Sequence, residues 1–398
     1  MEALAKLKIG TTETNRAVIE KSEDQKKVNQ YVFLKKLGQG SYGKVKLVVD
    51  ENTQQQYAMK IINKKMLSRK RLPGGVSALD DVKREVAIMK KLDHPNVVHL
   101  YEVIDSPDHP KLYMAMELLS GGSVEIPVAP ERVRGFMRDV ISGLEYLHHQ
   151  HIIHRDLKPD NLLLSADGHI KISDFGVSFL FSGDDDATQK LRGTPGFLAP
   201  EVVEGAGSFS GRPVDIWALG ITLFAFVFGD VPFKGPNPLL TYQAILTREL
   251  SFPHPVEPLL EDLIRGMLRR NPHERLTLDQ VKGHPWMTDS GQDLLQTSLG
   301  EVIQPTDQEV AAAISPILQW HQVVRLRSLM GARLKKAKAA LTQRPVAEQQ
   351  HPIASAEDES APAAPSSSVA PSIYSATTSH ASSVTSDFAS LPPERATL

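Results

Sequence analysis

No cysteine occurs anywhere in the 398 residues, so disulfides and thiolate-held metals are excluded. Neither sign of charge is in excess: 45 Lys and Arg stand against 47 Asp and Glu, a formal net charge of −2. That balance argues against a nucleic-acid partner, because such affinity comes from a basic face. Residues 1–30 lack the continuous apolar core of a signal peptide. Long hydrophobic runs are missing too. The longest, Ile216 to Phe228, is too short for a bilayer span and carries Asp215 at its head. These absences lead to the expectation of a cytoplasmic or nuclear protein with no transmembrane segment. Hydrophobic residues at 41% suffice for a sizeable core, and the length suggests two or three domains.

What is present centres on His154-Arg155-Asp156-Leu157-Lys158-Pro159-Asp160-Asn161, followed by Asp174-Phe175-Gly176. Phosphoryl transfer needs a carboxylate to orient a hydroxyl and accept its proton. It also needs an amide and a second carboxylate for the magnesium ions that bridge nucleotide phosphates. Asp156, Asn161 and Asp174 supply these groups in that order, and Lys158 adds a cation. Upstream lies Leu37-Gly38-Gln39-Gly40-Ser41-Tyr42-Gly43-Lys44-Val45, and downstream Ala199-Pro200-Glu201. A glycine loop alone is ambiguous between a phosphate cradle, a dinucleotide fingerprint and a plain hairpin turn. Here it leads into a second strand rather than a helix, unlike the dinucleotide version. The whole ordered set resembles a eukaryotic protein kinase.

That resemblance implies an α+β, bilobal protein-kinase fold. An N-lobe over 31–118 carries a five-stranded antiparallel sheet plus one helix, and a mainly helical C-lobe covers 119–287. The strands read as Tyr31–Leu34, Lys46–Val49, Tyr57–Ile62, Val97–Ile104 and Leu112–Leu118, and the helix as 80–92. Residues 1–30 are expected to be a flexible extension. A basic linker, Lys64-Lys65 and Arg69-Lys70-Arg71, is read either as solvated or as a dock for an acidic partner.

Lys60 sits in an alternating apolar strand and needs an anion; the family supplies it from the helix, at Glu85. Otherwise Glu85 would be ordinary surface charge. The resemblance further implies that ATP lies in the cleft, its phosphates under residues 37–45, with Ala58 and Met116 lining the adenine pocket. The backbone of Glu117 and Leu119 meets the adenine edge, Leu163 lies beneath it, and Asn161 and Asp174 hold Mg²⁺. The expected helix 131–149 ends in His148, His149 and nearby His151, which suit the dipole better than a metal.

Lys158 together with Gly193-Thr194-Pro195 points to the serine/threonine class. Thr194 is expected to bridge Asp156 and Lys158, and Thr188 to be the more exposed phosphosite. Arg155 ordinarily meets a phosphate, and Asp184-Asp185-Asp186 is read either as offering a stand-in for it or as an acidic solvated loop. By the same resemblance, Asp215 braces the catalytic loop and Arg275 is the buried partner of Glu201. Stretches such as Asp93-His94-Pro95-Asn96-Val97-Val98 and Gly229-Asp230-Val231-Pro232-Phe233 resemble the calcium/calmodulin-dependent protein kinase kinases and the plant SNF1-related-kinase-activating kinases. Members phosphorylate the activation-segment threonine of downstream kinases.

Residues 288–341 read as a regulatory segment. Ile317, Val324 and Met330 fall at 1-8-14 spacing beside Trp320, in a stretch basic enough to bind calmodulin. Membrane-surface or packing helices share that pattern. Residues 342–398, rich in Ser, Ala and Pro, are expected to be disordered. An ordinary calmodulin-dependent kinase acting on non-kinase proteins and a pseudokinase scaffold remain the alternatives.

Overall fold

Four successive antiparallel hairpins, and a fifth further along the chain, build the upper half of the molecule. In the computed structural model these hairpins lie among residues 11–21, 25–39, 43–69, 78–175, 178–180, 186–188, 193–205, 207–297, 299–302 and 306–314, which are the residues described. The strands are β1 (Thr12–Thr14), β2 (Ile19–Lys21), β3 (Lys26–Val28), β4 (Tyr31–Gln39), β5 (Gly43–Asp50), β6 (Gln56–Asn63), β7 (Leu100–Asp105) and β8 (Lys111–Glu117). They form one sheet in the order β1-β7-β8-β6-β5-β4-β3-β2. Strands β4 to β8 are the expected antiparallel five. The remaining three come from residues 12–28, so the expected flexible extension over 1–30 is corrected there. Its short segments, Thr-Glu-Thr, Ile-Glu-Lys and Lys-Lys-Val, lack apolar alternation, yet Val28 is fully buried. β1 pairs in parallel with β7, and Thr11 Oγ1 donates to the Leu100 carbonyl at 2.8 Å.

Helix α1 (Lys64–Arg69) and helix α2 (Ala78–Met89) follow β6. Lys64, expected in a solvated linker, is fully buried and lies 2.5 Å from Asp105 Oδ1. A buried ammonium is tolerated there because a carboxylate and the Ser106 carbonyl receive its protons. Residues 70–77, the rest of that linker, lie outside the described residues. Val82, Val86 and Met89 of α2 are buried, as the i, i+4, i+7 spacing predicts. The expected strand from Val97 starts only at Leu100. Val97 and Val98 instead pair with Ile172, tying the two lobes together.

The lower half contains β9 (Gly122–Ser123), α3 (Pro130–His149), β10 (Ile152–Ile153), β11 (Leu162–Leu164), β12 (Ile170–Ile172), β13 (Phe179–Leu180), β14 (Ala187–Thr188), α4 (Pro200–Glu204), β15 (Phe209–Ser210), α5 (Gly211–Phe228), α6 (Pro238–Thr247), α7 (Pro258–Met267) and α8 (Leu278–Lys282), and α9 (Asp307–Ala312) comes last. Helix α5 is long and apolar enough to cross a membrane, but most of it is buried inside the C-lobe. The core runs through Met137, Val140 and Leu144 of α3, Trp217 and Leu223 of α5, and Leu263 and Met267 of α7.

His94 is buried, stacks on Tyr146 at 4.7 Å, and accepts the Asn96 N–H on Nδ1 at 3.1 Å. Burial pulls its pKa down to about 4, with Asp93 opposing only in part. Because the unfolded histidine titrates near 6.5, the unfolded chain binds the extra proton first as pH falls. This contribution to stability is therefore complete above about pH 6.5 and lost towards pH 4, on the order of 2–3 kcal/mol. Urea unfolding at pH 7 and pH 4.5 checks it: the drop in midpoint should be smaller in His94→Asn than in the parent protein.

Candidate active site

The register of β5, β6 and β8 sets Lys60 opposite Val45 on one side and Met114 on the other, with Ala58 opposite Met116. The Lys60 ammonium contacts the Glu85 carboxylate of α2 directly and lies 3.3 Å from Asp174 Oδ1. Glu85 is 1% exposed and Lys60 is 5% exposed. Burial alone would lower the lysine pKa, but Glu85 and then Asp174 override it and hold Lys60 charged well above its ordinary value. Lys60 is therefore a fixed cation between Glu85 and Asp174. Gly43 packs so close to the neighbouring strand that a Cβ would lie 2.1 Å from the Ile61 carbonyl oxygen. Gly40, Ser41 and Tyr42 lie outside the described residues. Leu37, Gly38 and Gln39 end β4, and Lys44 and Val45 open β5.

Met116 packs against the large core, and Leu119 is buried. Leu163 lies in β11, opposite Lys171 of β12 and Ser123 of β9. The Lys171 ammonium stands 2.7 Å from Glu117 Oε1, so β12 is pinned to the end of β8. Nothing in the sequence pattern marks that pair.

The catalytic loop is bent, not extended. Arg155 and Asp174 both have positive φ, 66° and 60°, a costly conformation for non-glycine residues. Asp215 of α5, fully buried, stabilises the first of them. Its Oδ1 accepts the Arg155 N–H at 2.7 Å, and its Oδ2 accepts the His154 N–H at 2.9 Å. His148 Nε2 meets the same oxygen at 2.9 Å. His148 does lie in the last turn of α3, as expected, and is in addition a buried partner of Asp215. His154 is fully buried, with Nδ1 facing the Asp156 N–H and Nε2 facing the Ser173 carbonyl. Both ring nitrogens are occupied structurally. Among the described residues no cluster of three His, Cys, Asp or Glu is placed to hold a metal.

Asp156 gathers four donors. Oδ1 accepts the Thr194 N–H at 2.9 Å and its hydroxyl at 2.7 Å. Oδ2 lies 2.9 Å from Lys158 Nζ and 3.0 Å from Asn161 Nδ2. Lys158 also donates to Thr194 Oγ1 at 2.5 Å, so Thr194 does bridge the two. Gly193, just before it, has φ +123°, and a Cβ there would lie 2.7 Å from the Arg155 carbonyl oxygen. Only glycine brings Thr194 this close to Asp156; the Gly-Thr-Pro string carried that signal, but not its geometry.

The Asn161 amide nitrogen is directed at Asp156, so its carbonyl oxygen points the other way. That oxygen and the Asp174 carboxylate are both hard donors. They suit Mg²⁺, which keeps several waters and takes one or two protein carboxylates plus substrate phosphates.

One residue of the activation segment is placed differently from expectation. Thr188 is 6% exposed, its backbone paired with Phe209, so the expected exposed phosphosite is corrected to a buried strand residue. Asp186 Oδ2 accepts from Ser210 Oγ at 2.8 Å and the Arg212 N–H at 2.7 Å, anchoring the start of α5. Asp184 and Asp185 lie outside the described residues. The Arg155 guanidinium donates to the Ser178 carbonyl at 3.2 Å. Arg275 spends all five of its N–H donors. Nη1 and Nη2 grip Glu201 at 2.7 and 2.9 Å, and carbonyls of Pro213, Arg269 and Arg270 take the rest. The possible calmodulin anchors Ile317, Trp320, Val324 and Met330 lie outside the described residues.

The profile of the protein kinase domain matches residues 31–287. A probable serine/threonine-protein kinase of Dictyostelium discoideum is 43% identical over 310 residues, 76% of this chain and 44% of that protein. The serine/threonine-protein kinase GRIK1 of Arabidopsis thaliana is 43% identical over 283 residues, 69% of this chain and 71% of its own length. The calcium/calmodulin-dependent protein kinase kinase of Caenorhabditis elegans is 42% identical over 297 residues, 68% of this chain. The match spans 55% of the worm protein, and so, as with the Dictyostelium relative, less than two thirds of its length.

Proposed function

Because this chain belongs to the serine/threonine protein kinase family, we propose that the hydroxyl it phosphorylates is the activation-segment threonine of another kinase. The chemistry is supported by two side-chain groups, Lys60 with Asp174 and Asp156 with Lys158 and Asn161, tied together where Ser173 bonds the Asn161 carbonyl. The observation that supports the substrate class is the 42% identity to a protein named as a kinase kinase.

Within that reading, Asp156 Oδ2 faces the incoming hydroxyl, orients it and takes its proton. Lys158 and Lys60 offset the negative charge that spreads over the transferred phosphoryl. Asn161 and Asp174 are the residues that would hold Mg²⁺, which when bound neutralises phosphate charge. Little covalent work is asked of the protein; positioning and fixed charge provide the acceleration.

The regulatory part of the proposal is that 312–341 binds calmodulin, supported by its 1-8-14 spacing and basic composition. One experiment tests both parts. The purified full chain is incubated with Mg-ATP and a catalytically dead AMP-activated-type kinase, with and without calcium-calmodulin. Phosphate is expected on the activation-segment threonine, and calcium-calmodulin is expected to change the rate. Transfer to a generic peptide but not to that threonine would make this an ordinary kinase of other proteins. Nucleotide binding with no transfer at all would make it a scaffold.

A further inference from the structure

The matched domain covers 31–287, yet chain from beyond both of its ends reaches the same end of α2. Immediately after Met89 come Lys90 and Lys91, whose amides donate back to the Val86 and Ile88 carbonyls and so close the last turn. Lys90 Nζ lies 2.7 Å from Glu13 Oε1 of β1, and Lys91 Nζ lies 2.8 Å from Glu309 Oε2 of α9. We propose that Glu13 and Glu309 are positioning residues that clamp the C-terminal end of α2, and through it hold Glu85 against Lys60.

Each arm of the clamp is itself built rigidly. β1 is hydrogen-bonded to β7 in register, Glu13 opposite Val103, and flanking Thr14 bonds the buried Glu102. On the other arm Thr306 caps α9, with its Oγ1 taking the Glu309 N–H at 3.2 Å and its own N–H reaching Glu309 Oε2 at 2.7 Å. The Lys91 bond first, and that Thr306 N–H second, hold the Glu309 carboxyl down at about 2. Ala313 and Ile314, just past α9, are buried in the same apolar core as Val82, Val86 and Met89 of α2.

Before reaching α9 the chain follows α3. Arg138 donates to the Met287 and Asp293 carbonyls, His149 meets the Gly300 carbonyl, and Gln150 donates to the Glu301 carbonyl. The C-terminal arm thus spans both lobes. Glu85 sits one helical turn before Met89, so a tilt or slide at the clamped end moves the Lys60 pair with it. The lysines also place positive charge at the C-terminal end of the helix dipole, which makes them suitable anchor points.

The inference rests on the kinase reading of the cleft, and its test separates the two. Glu13 and Glu309 are largely exposed, so Glu13→Lys/Glu309→Lys is expected to fold. In the full chain that variant should lower kcat/KM for ATP by roughly 2- to 20-fold, the range two partly exposed ion pairs support. It should also speed hydrogen exchange at the amides of residues 86–91. Adding Lys90→Glu and Lys91→Glu should restore kcat/KM to within about twofold of the parent. The proposal is overturned by unchanged exchange at 86–91, or by a charge swap that restores nothing. If the parent shows no phosphotransfer, the kinase reading fails, while the exchange result still decides on the clamp.

Discussion

Replacing Asp156 with asparagine is expected to lower kcat by about 10²- to 10⁴-fold, the usual contribution of a positioned base. The size of the loss follows from the four donors around this carboxylate. Thr194 offers two of them to Oδ1, and Lys158 and Asn161 offer one each to Oδ2. An amide cannot take the substrate proton. It must also turn an NH₂ group towards one of these donor pairs, pushing either Thr194 or Lys158 away. Both effects act on the reacting geometry, whereas the buried supports at Asp215 and Arg275 are untouched. Steady-state kinetics beside a thermal melt decides the matter: the midpoint should move by only a few degrees. A variant within tenfold of the parent rate would remove Asp156 from the role of base.

The second large effect is at Lys60, and it has two parts that separate. Lys60→Met removes the fixed cation of the cleft, so transfer should become undetectable or nearly so. It also takes the ammonium away from Glu85, a carboxylate that is 1% exposed. Breaking a buried ion pair by deleting one member costs about 3–5 kcal/mol, because the other charge stays buried. The single variant should therefore be both inactive and clearly less stable in urea. The double variant Lys60→Met/Glu85→Met should recover most of the stability and none of the activity. Equal stability of the single and double variants would show that this pair is not strongly coupled.

The contacts of these two residues, Lys60 with Glu85 and Asp156 with Lys158 and Thr194, were legible in the sequence because the kinase motifs carry their spacing. Strand and helix periodicity placed β4 to β8, α2 and α3, since each buries one face. Legibility stopped where a contact depends on residues distant in the chain and carries no periodic mark. Strand β1, with its sequence Thr-Glu-Thr, is held mainly by backbone pairing to β7, and backbone pairing leaves no composition. Lys64 reads as part of a basic run until Asp105 is seen beside it. Thr188 reads as an exposed hydroxyl until Phe209 pairs with its backbone. The acids that meet Lys90 and Lys91 look like ordinary surface charge, and only the folded path of the two flanking arms gives them a shared destination.

Asp215 ties the working end of this molecule to its most protected interior. One carboxylate, sealed inside the lower lobe, fixes two consecutive loop amides and a histidine from a second helix. The loop therefore has little freedom to fray ahead of its surroundings. Heat should extinguish turnover at the temperature where the lower lobe as a whole gives way, so loss of activity and loss of fold would be one event.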